Sequence, residues 1–485
     1  MHDYKIDNSN QTAYCTVCGS IFNNIINLKS FGAVGDGVTD DYSSILNAIS
    51  SSNNTILYIP SGTYNISEPL KISEIHDIVL IGDEDVNFIV SRGFKLQDIE
   101  NIEINNINFI QNSADKFEQD ILIIETPNSK CENITIKDCS FLDGNAGIKL
   151  NSYMDHFPLY NILLSNVTIK NCVSPLYADS VIGLTVNNLY VNQTTEYSNI
   201  SKLDHHIYIS KNCDNVIFYN TTIDGGIDNS IANYNGAINI ATAYENTNVY
   251  NIEFNTINVI NRSNKEYYTL FDTGYCKNLI VRNLKIDDIS SSYNMLVYNY
   301  HSLFTLKDSY INCQGGSFSN ITNAPNEDTI IVDNCKFNLS CINDHTSYWF
   351  LVPNQGKIEF SDCSIDLNNV GLNFRLIQTS ALNGEVIFSS NTVNFISNNS
   401  GGSIYGNYIL NCWNDNCSIT IKDNNIYANN LCNLAFTISK EISHYTIDIS
   451  KNKFYDFVSK GSLFTNIGIM EDKVTYLDNE QLYSN

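Results

Sequence analysis

Six short runs return along this 485-residue chain with one internal rhythm. They are NITIKDCSF (133–141), NVTIKNC (166–172), NVIFYNTTI (215–223), NLIVRNLKI (278–286), TIIVDNCKF (329–337) and KIEFSDCSI (357–365). Most read Asn-ϕ-x-ϕ-x-Asn/Asp, where ϕ is apolar. Apolar residues at every second position, largely β-branched or aromatic and closed by Asn, Asp or Gly, predict short half-buried strands. The runs are irregularly spaced, which argues against a propeller with a fixed blade. No amphipathic helices separate them, which argues against a doubly wound sheet or a (β/α) barrel. The architecture that remains is an all-β parallel solenoid. Each coil contributes two or three strands, and coils stack about 4.8 Å apart.

Such a coil needs sharp corners, and the many asparagines and glycines suit the left-handed backbone those corners require. Asn and Cys at equivalent corners predict ladders of hydrogen-bonded amides and packed thiols. Eight cysteines directly follow Asn or Asp: Cys139, Cys172, Cys213, Cys313, Cys335, Cys363, Cys412 and Cys417. That placement predicts buried, reduced thiols at one corner of the repeat rather than a disulfide framework. Cys15-x-x-Cys18 lacks the second pair or nearby His that a zinc site wants, so no metal is expected there. No cofactor is expected either.

A solenoid also has two open ends, each a bare apolar cross-section with unpaired strand edges. FGAVGDGVTDD (31–41) stands just ahead of a helical pattern. Its glycines, Gly32, Gly35 and Gly37, do not follow a dinucleotide or phosphate-loop order, and Asp36, Asp40 and Asp41 would repel a phosphate. The stretch is read as scaffold. Thr39 is the expected N-cap, with Asp40 and Asp41 in the first turn. Ile45, Leu46 and Ile49 make the apolar face of a short helix that closes the N-terminal end. TILYIPSGTYNI then supplies the first strands.

The stretch INLKSFGAVGDGVTDDYSSILNAI…TILYIPSGTYNI, about residues 26–75, resembles the N-terminal signature of the pectate-lyase-like, right-handed parallel β-helix proteins, which include phage tailspikes. The resemblance implies a right-handed parallel β-helix with a short N-terminal capping helix. The expected layout is an N-terminal tail or adaptor at 1–25, the cap and first strands at 26–75, the β-helix at 76–450 and a C-terminal cap at 451–485. It further implies a homotrimer on a virion tail, joined to a baseplate or tail adaptor through its N-terminus, and a bacterial surface polysaccharide as partner. Neither a secretory signal nor a membrane span is apparent, which fits assembly in a host cytoplasm and release to the extracellular side.

Charge narrows the partners. With 52 acidic against 27 basic residues the net charge is −25, so neither nucleic acid nor an anionic membrane is expected as partner. An anionic glycan held by a few local cations stays open.

The family resemblance does not transfer catalytic residues. The Gly-His-Gly of galacturonan hydrolases, the Asp-Pro-His-Glu of alginate epimerases and the Arg-x-Pro-x-x-Arg of pectate lyases are all absent. Position must supply the candidates. Ile148/Leu150, Leu176/Ala178, Ile207/Ile209 and Ile238/Ile240 stack as inward residues. The outward columns between them contain Lys149, Tyr177, Tyr208 and Asn239, and beside them Asn151, Asp179 and Ser210. In LDHHIYISKN, Asp204, His206 and Tyr208 are expected on one outward face, with His205 on the other. Tyr177 and Tyr208 offer flat faces to sugar rings. Lys149, Asp179, Asn239, Asp224 and Tyr234 are the other candidate substrate contacts, with Glu196, Asp224, Asp228 and Tyr234 brought to the rim by longer polar segments.

Two chemistries compete on this face. Glycoside hydrolysis needs two carboxyls about 5 Å or about 6.5–9.5 Å apart, and stacked coils supply about 4.8 or 9.6 Å between equivalent columns. Asp204 with Asp228 or Glu196 is the expected pair. β-Elimination on a uronic acid would instead use His206 or Tyr208 as base, with Lys149 against the substrate carboxylate. Scarce cations favour hydrolysis. A non-catalytic glycan-binding spike on the same scaffold is the alternative from another class.

Overall fold

The computed structural model describes residues 4–7, 12–16, 21–22, 24–152, 157–193, 205–224, 237–240, 249–260, 268–288, 294–300, 303–314, 329–340, 348–352, 356–368, 375–379, 384–396, 408–412, 418–429, 436–439, 446–457, 464–467 and 474–483. They fall into two compact units, Met1–Gly225 and Gly226–Asn485. Each is a stack of parallel β-coils, as the repeat predicts. Tyr42–Ser50 is the single α-helix among the described residues.

In the first unit, alternation along the strands is the whole logic of the core. Strands Leu70–Ser73, Phe94–Gln97, Leu122–Glu125, Ile148–Asn151, Leu176–Ala178 and Ile207–Ile209 pair in parallel and in register. Ile148, Leu150, Leu176, Ala178, Ile207 and Ile209 all point inward and are buried, as expected. On a second sheet, Tyr64, Phe88, Phe109 and Phe141 stand in register on successive coils. Their rings continue as an interior stack, with Phe109 and Phe141 parallel at 5.1 Å. Burying each such ring contributes roughly 1.5–3 kcal/mol.

Corners are made by residues in the left-handed region, almost all Asn or Asp. Their short polar side chains tolerate that region and bond locally. At one corner the amide of Asn101 donates to Asp77 (2.8 Å), Asn133 to Asn101 (2.9 Å) and Asn161 to Asn133 (3.1 Å). This is the expected ladder.

The cysteines are partly as expected. Cys139 in the first unit and Cys335 and Cys363 in the second each follow a left-handed Asp or Asn and donate to the carbonyl two residues earlier, at 3.1–3.2 Å. Cys172 and Cys213 also follow left-handed asparagines, but at two further corners. Cys313 and Cys412 lie within strands Tyr310–Gln314 and Tyr408–Cys412, so one shared corner for all eight is incorrect. Cys417 and Cys18 lie outside the described residues.

The opening loop is scaffold. Asp41, buried, accepts from the backbone N–H groups of Val34 (2.7 Å) and Gly35 (3.1 Å). Asp36 accepts from Val38 and Thr39 N–H, and Asp40 from the Ser67 hydroxyl at 2.6 Å. A side chain at Gly35 (φ 71°) would meet the Tyr64 ring at 2.8 Å. The cap differs from expectation: the helix begins at Tyr42, its N-cap is Asp41, and Thr39 lies in strand Asp36–Asp40. Asp41 turns its carboxylate back to the loop instead of capping. The buried helical face is Ile45, Ala48 and Ile49, with Leu46 at its margin. It packs against strand Leu70–Ser73 and the turn Leu28–Phe31.

In the second unit the same inner corner column changes chemistry along the stack. Cys335 and Cys363 give way to Asn391, Asn424, Asn452 and Asn479. Asn424 Nδ2 donates to Phe388 O and to Asn452 Oδ1, both at 2.8 Å, while its Oδ1 accepts from Asn391 N at 2.8 Å. Asn452 repeats the pattern onto Asn479. Each buried amide is satisfied by its neighbours, which is what makes such a column tolerable in a core. Strands Val474–Leu477 and Glu480–Leu482 still pair in parallel with the preceding coil.

Candidate functional site

The outward face of the strands from Leu70–Ser73 to Ile207–Ile209 gathers the candidate chemistry of the first unit. Since inward positions are fixed by the core, residues between them must face out. Register places Lys71, Lys95, Ile123, Lys149, Tyr177 and Tyr208 in one column. Two residues further along each strand, Ser73, Gln97, Glu125 and Asn151 form a second. Asp179 and Ser210 continue it, since Asp179 N bonds Leu150 O and Ser210 N bonds Ala178 O.

Coil stacking brings Tyr177 and Tyr208 together differently from the expectation. Their rings lie face to face, centroids 5.0 Å apart at 26°. His205 also stacks on Tyr208 (5.5 Å, 11°), and the Lys149 ammonium stands 5.7 Å from the Tyr177 ring centre. Equal side chains one coil apart are held at nearly aromatic stacking distance, so ring faces are spent on one another. The faces that Tyr177 and Tyr208 turn toward each other are therefore closed, where open flat faces were expected.

Asp179 lies at the foot of this stack and is buried. It accepts from the Ser180 hydroxyl at 2.8 Å, and the Tyr177 hydroxyl approaches its other oxygen at 3.4 Å. Burial first, then the Asp179 charge, pushes the Tyr177 phenol well above its ordinary range. Lys149 pairs with Asp120 at 2.9 Å, and Asp120 also accepts from Asn145 Nδ2 at 2.7 Å. Lys95 pairs with the nearly buried Glu125 at 3.2 Å, beside the Gln97 amide, which donates to the same oxygen.

His206 corrects the reading of LDHHIYISKN. It is fully buried, not outward, and among the described residues neither ring nitrogen has a well-formed hydrogen bond. Strand alternation begins only at Ile207, so parity does not govern the residue before it. Burial, assisted by His205, pushes the His206 imidazole down to about 4, with Asp224 acting weakly the other way. His205, not His206, joins the Tyr208 stack.

Asp224 closes strand Asp214–Asp224 on the other sheet, where the Tyr190 hydroxyl donates to its carboxylate and Asn192 Nδ2 to its carbonyl at 3.1 Å. It therefore does not share the Tyr177 face. Asn239 belongs to the second unit, buried in strand Ile238–Ile240 and in register with Asp272. Asp204, Glu196, Asp228 and Tyr234 lie outside the described residues. Lys149, Tyr177, Tyr208 and Asp179 are thus the predicted residues that come together. Lys71, Lys95, Asp120 and Glu125 escaped sequence reasoning, although following the outward parity of KIS and FKLQ toward the N-terminus would have reached both lysines.

Comparison with known proteins agrees on the scaffold. Residues 25–97 match the family model described as rhamnogalacturonase A/epimerase, pectate lyase-like. A Penicillium expansum protein described as a non-secreted LysM effector is 37% identical over 78 residues, 16% of this chain and only 6% of that relative. The N-terminal fragment of bacteriophage phi29 gene product 12 is 15% identical with a TM-score of 0.58, over 89% of this chain and 77% of that one. The pre-mature form of the same gene product gives 16% and 0.50, over 89% and 61%.

Proposed function

We propose that this pectate-lyase-like parallel β-helix is a polysaccharide depolymerase that cleaves a bacterial surface glycan by glycoside hydrolysis on the Tyr177–Tyr208 face. The observation that carries the reading is the convergence, on one outward face, of Tyr177, Tyr208, Lys149 and the buried carboxylate of Asp179. Such an assembly of ring edges, hydroxyls and oriented charge suits a hydroxyl-rich polymer lying along the coils.

Hydrolysis needs one carboxylic acid to protonate the leaving glycosidic oxygen and a carboxylate to activate water or attack the anomeric carbon. Asp204, joined directly to His205, is assigned one role, with Glu196 as its partner. Asp179 orients substrate through Tyr177. Elimination is the weaker reading. Lys149 is committed to Asp120, and His206 is enclosed, which leaves Tyr208 as the base of that mechanism.

Asp204→Asn is the test. Loss of cleavage with glycan binding retained supports the assignment, and full residual activity removes Asp204 from the machinery. From the N-terminal resemblance we further propose that the chain stands on a virion tail as a homotrimer. A monomer in sedimentation equilibrium would contradict that assembly.

A further inference from the structure

The column that ends in Tyr177 and Tyr208 begins with lysines. Lys71 and Lys95 are paired in register on adjacent strands, and Lys149 stands two coils beyond Lys95 on the same line. Only 27 of 485 residues are basic, so three lysines among six outward positions are a local concentration the acidic composition does not produce by itself. Two of the three have counterions inside the protein, Glu125 for Lys95 and Asp120 for Lys149.

Lys71 differs. It is exposed, and among the described residues no carboxylate lies within ion-pair distance of it. Its strand neighbour is another lysine about 4.8 Å away, and like charges in register oppose each other. An external anion set between Lys71 and Lys95 would relieve that opposition. It would also extend the alternation of cation and anion that Glu125 and Asp120 maintain further along the face.

We propose that Lys71 and Lys95 form an anion-binding subsite, continuous with the Lys149–Tyr177–Tyr208 column, that takes the carboxylate or phosphate groups of an acidic glycan. The inference rests on the functional reading above and narrows its substrate to a polyanion. The surrounding charge sharpens it: a chain of net charge −25 repels polyanions in general, so binding of one must come from a local cationic site. Phosphate and carboxylate share this chemistry at the two ammonium groups, and only the ligand distinguishes them.

The experiment uses the full chain and three probes: hyaluronan as a carboxylate polymer, inorganic polyphosphate as a phosphate polymer, and dextran as a neutral control. Affinity is measured at low and at high sodium chloride. The expected result is binding of one or both polyanions, weakened by salt, lost by about tenfold or more in Lys71→Glu and by less in Lys71→Ala. Lys451→Glu, an exposed lysine in the second unit, makes the same change in net charge and should leave affinity unchanged. Preference between the two polyanions identifies the acid group. Failure of both to bind, equal loss in Lys451→Glu, or indifference to Lys71→Glu overturns the proposal. Cleavage of a neutral surface glycan, with Lys71→Glu fully active, would overturn it while leaving the depolymerase reading intact. Absence of cleavage of any glycan would strike the depolymerase reading instead.

Discussion

Tyr177 and Tyr208 sit one coil apart with ring centres at 5.0 Å, the Lys149 ammonium 5.7 Å from the Tyr177 ring and His205 stacked on Tyr208 at 5.5 Å. The pile is both a strut of the outward face and the place where polar ring edges meet solvent. These two roles separate under substitution.

Tyr208→Phe keeps the stack and removes the hydroxyl. It should lower thermal stability less than loss of the ring does, by about 1 kcal/mol at most, and raise KM for the glycan. Tyr208→Ala removes both partners' stacking, each aromatic pair contributing about 0.5–1.5 kcal/mol beyond burial. Tm and affinity should then fall together. Equal behaviour of the two variants would mean that the ring stack does nothing, and a Tyr208→Phe variant indistinguishable from the wild type would mean that the hydroxyl does nothing.

Asp179→Asn keeps the shape and removes the charge beneath Tyr177. Because charged hydrogen bonds are the stronger ones, KM should rise about tenfold with kcat less affected, the pattern of lost ground-state positioning. A drop in kcat at unchanged KM would instead promote Asp179 to a catalytic residue.

His206 makes stability depend on pH. Its folded value, about 4, lies below the ordinary 6.5 because burial disfavours the imidazolium. Between those values the unfolded chain binds more protons, so stability is full above about pH 6.5 and falls as pH drops toward 4. A difference of that size corresponds to roughly 3 kcal/mol. Urea unfolding of the wild type at pH 7.5 and 4.5 should show the loss, and His206→Leu should flatten it. An equal slope in the variant would exonerate His206.

The amide column of the second unit gives a further test. Replacing Asn424 by Ala takes the amide partner from Phe388 O and leaves Asn391 N unpaired, while Asn452 Oδ1 keeps the backbone N–H of residue 424. A buried group costs about 1–3 kcal/mol when unpaired. A loss on the order of 2 kcal/mol is expected in urea unfolding. Asn133→Gly, at an exposed left-handed corner where glycine meets no steric penalty, should cost far less.

Much of this was legible in the residues. Ile148, Leu150, Leu176, Ala178, Ile207 and Ile209 were readable as inward because alternation is enforced by a core on one side only. The Asn-Asp corners were readable because few other residues accept that backbone. Where strands end, the period ends too. Thus His205 and His206 exchanged roles, and the cysteines fell on several corners instead of one. Ring faces were misjudged because alternation gives the side of the sheet but not what stands 5 Å away on the next coil. Lys71 and Lys95 were missed because they precede the segment in which the outward columns were first aligned.

The central claim is tested most directly by mass spectrometry of surface polysaccharides from a panel of bacterial strains after incubation with the full chain. Oligosaccharides heavier by one water than their summed residues are the predicted products of hydrolysis. Fragments of summed-residue mass carrying an unsaturated uronate, or intact glycan that binds but is never cut, would contradict it.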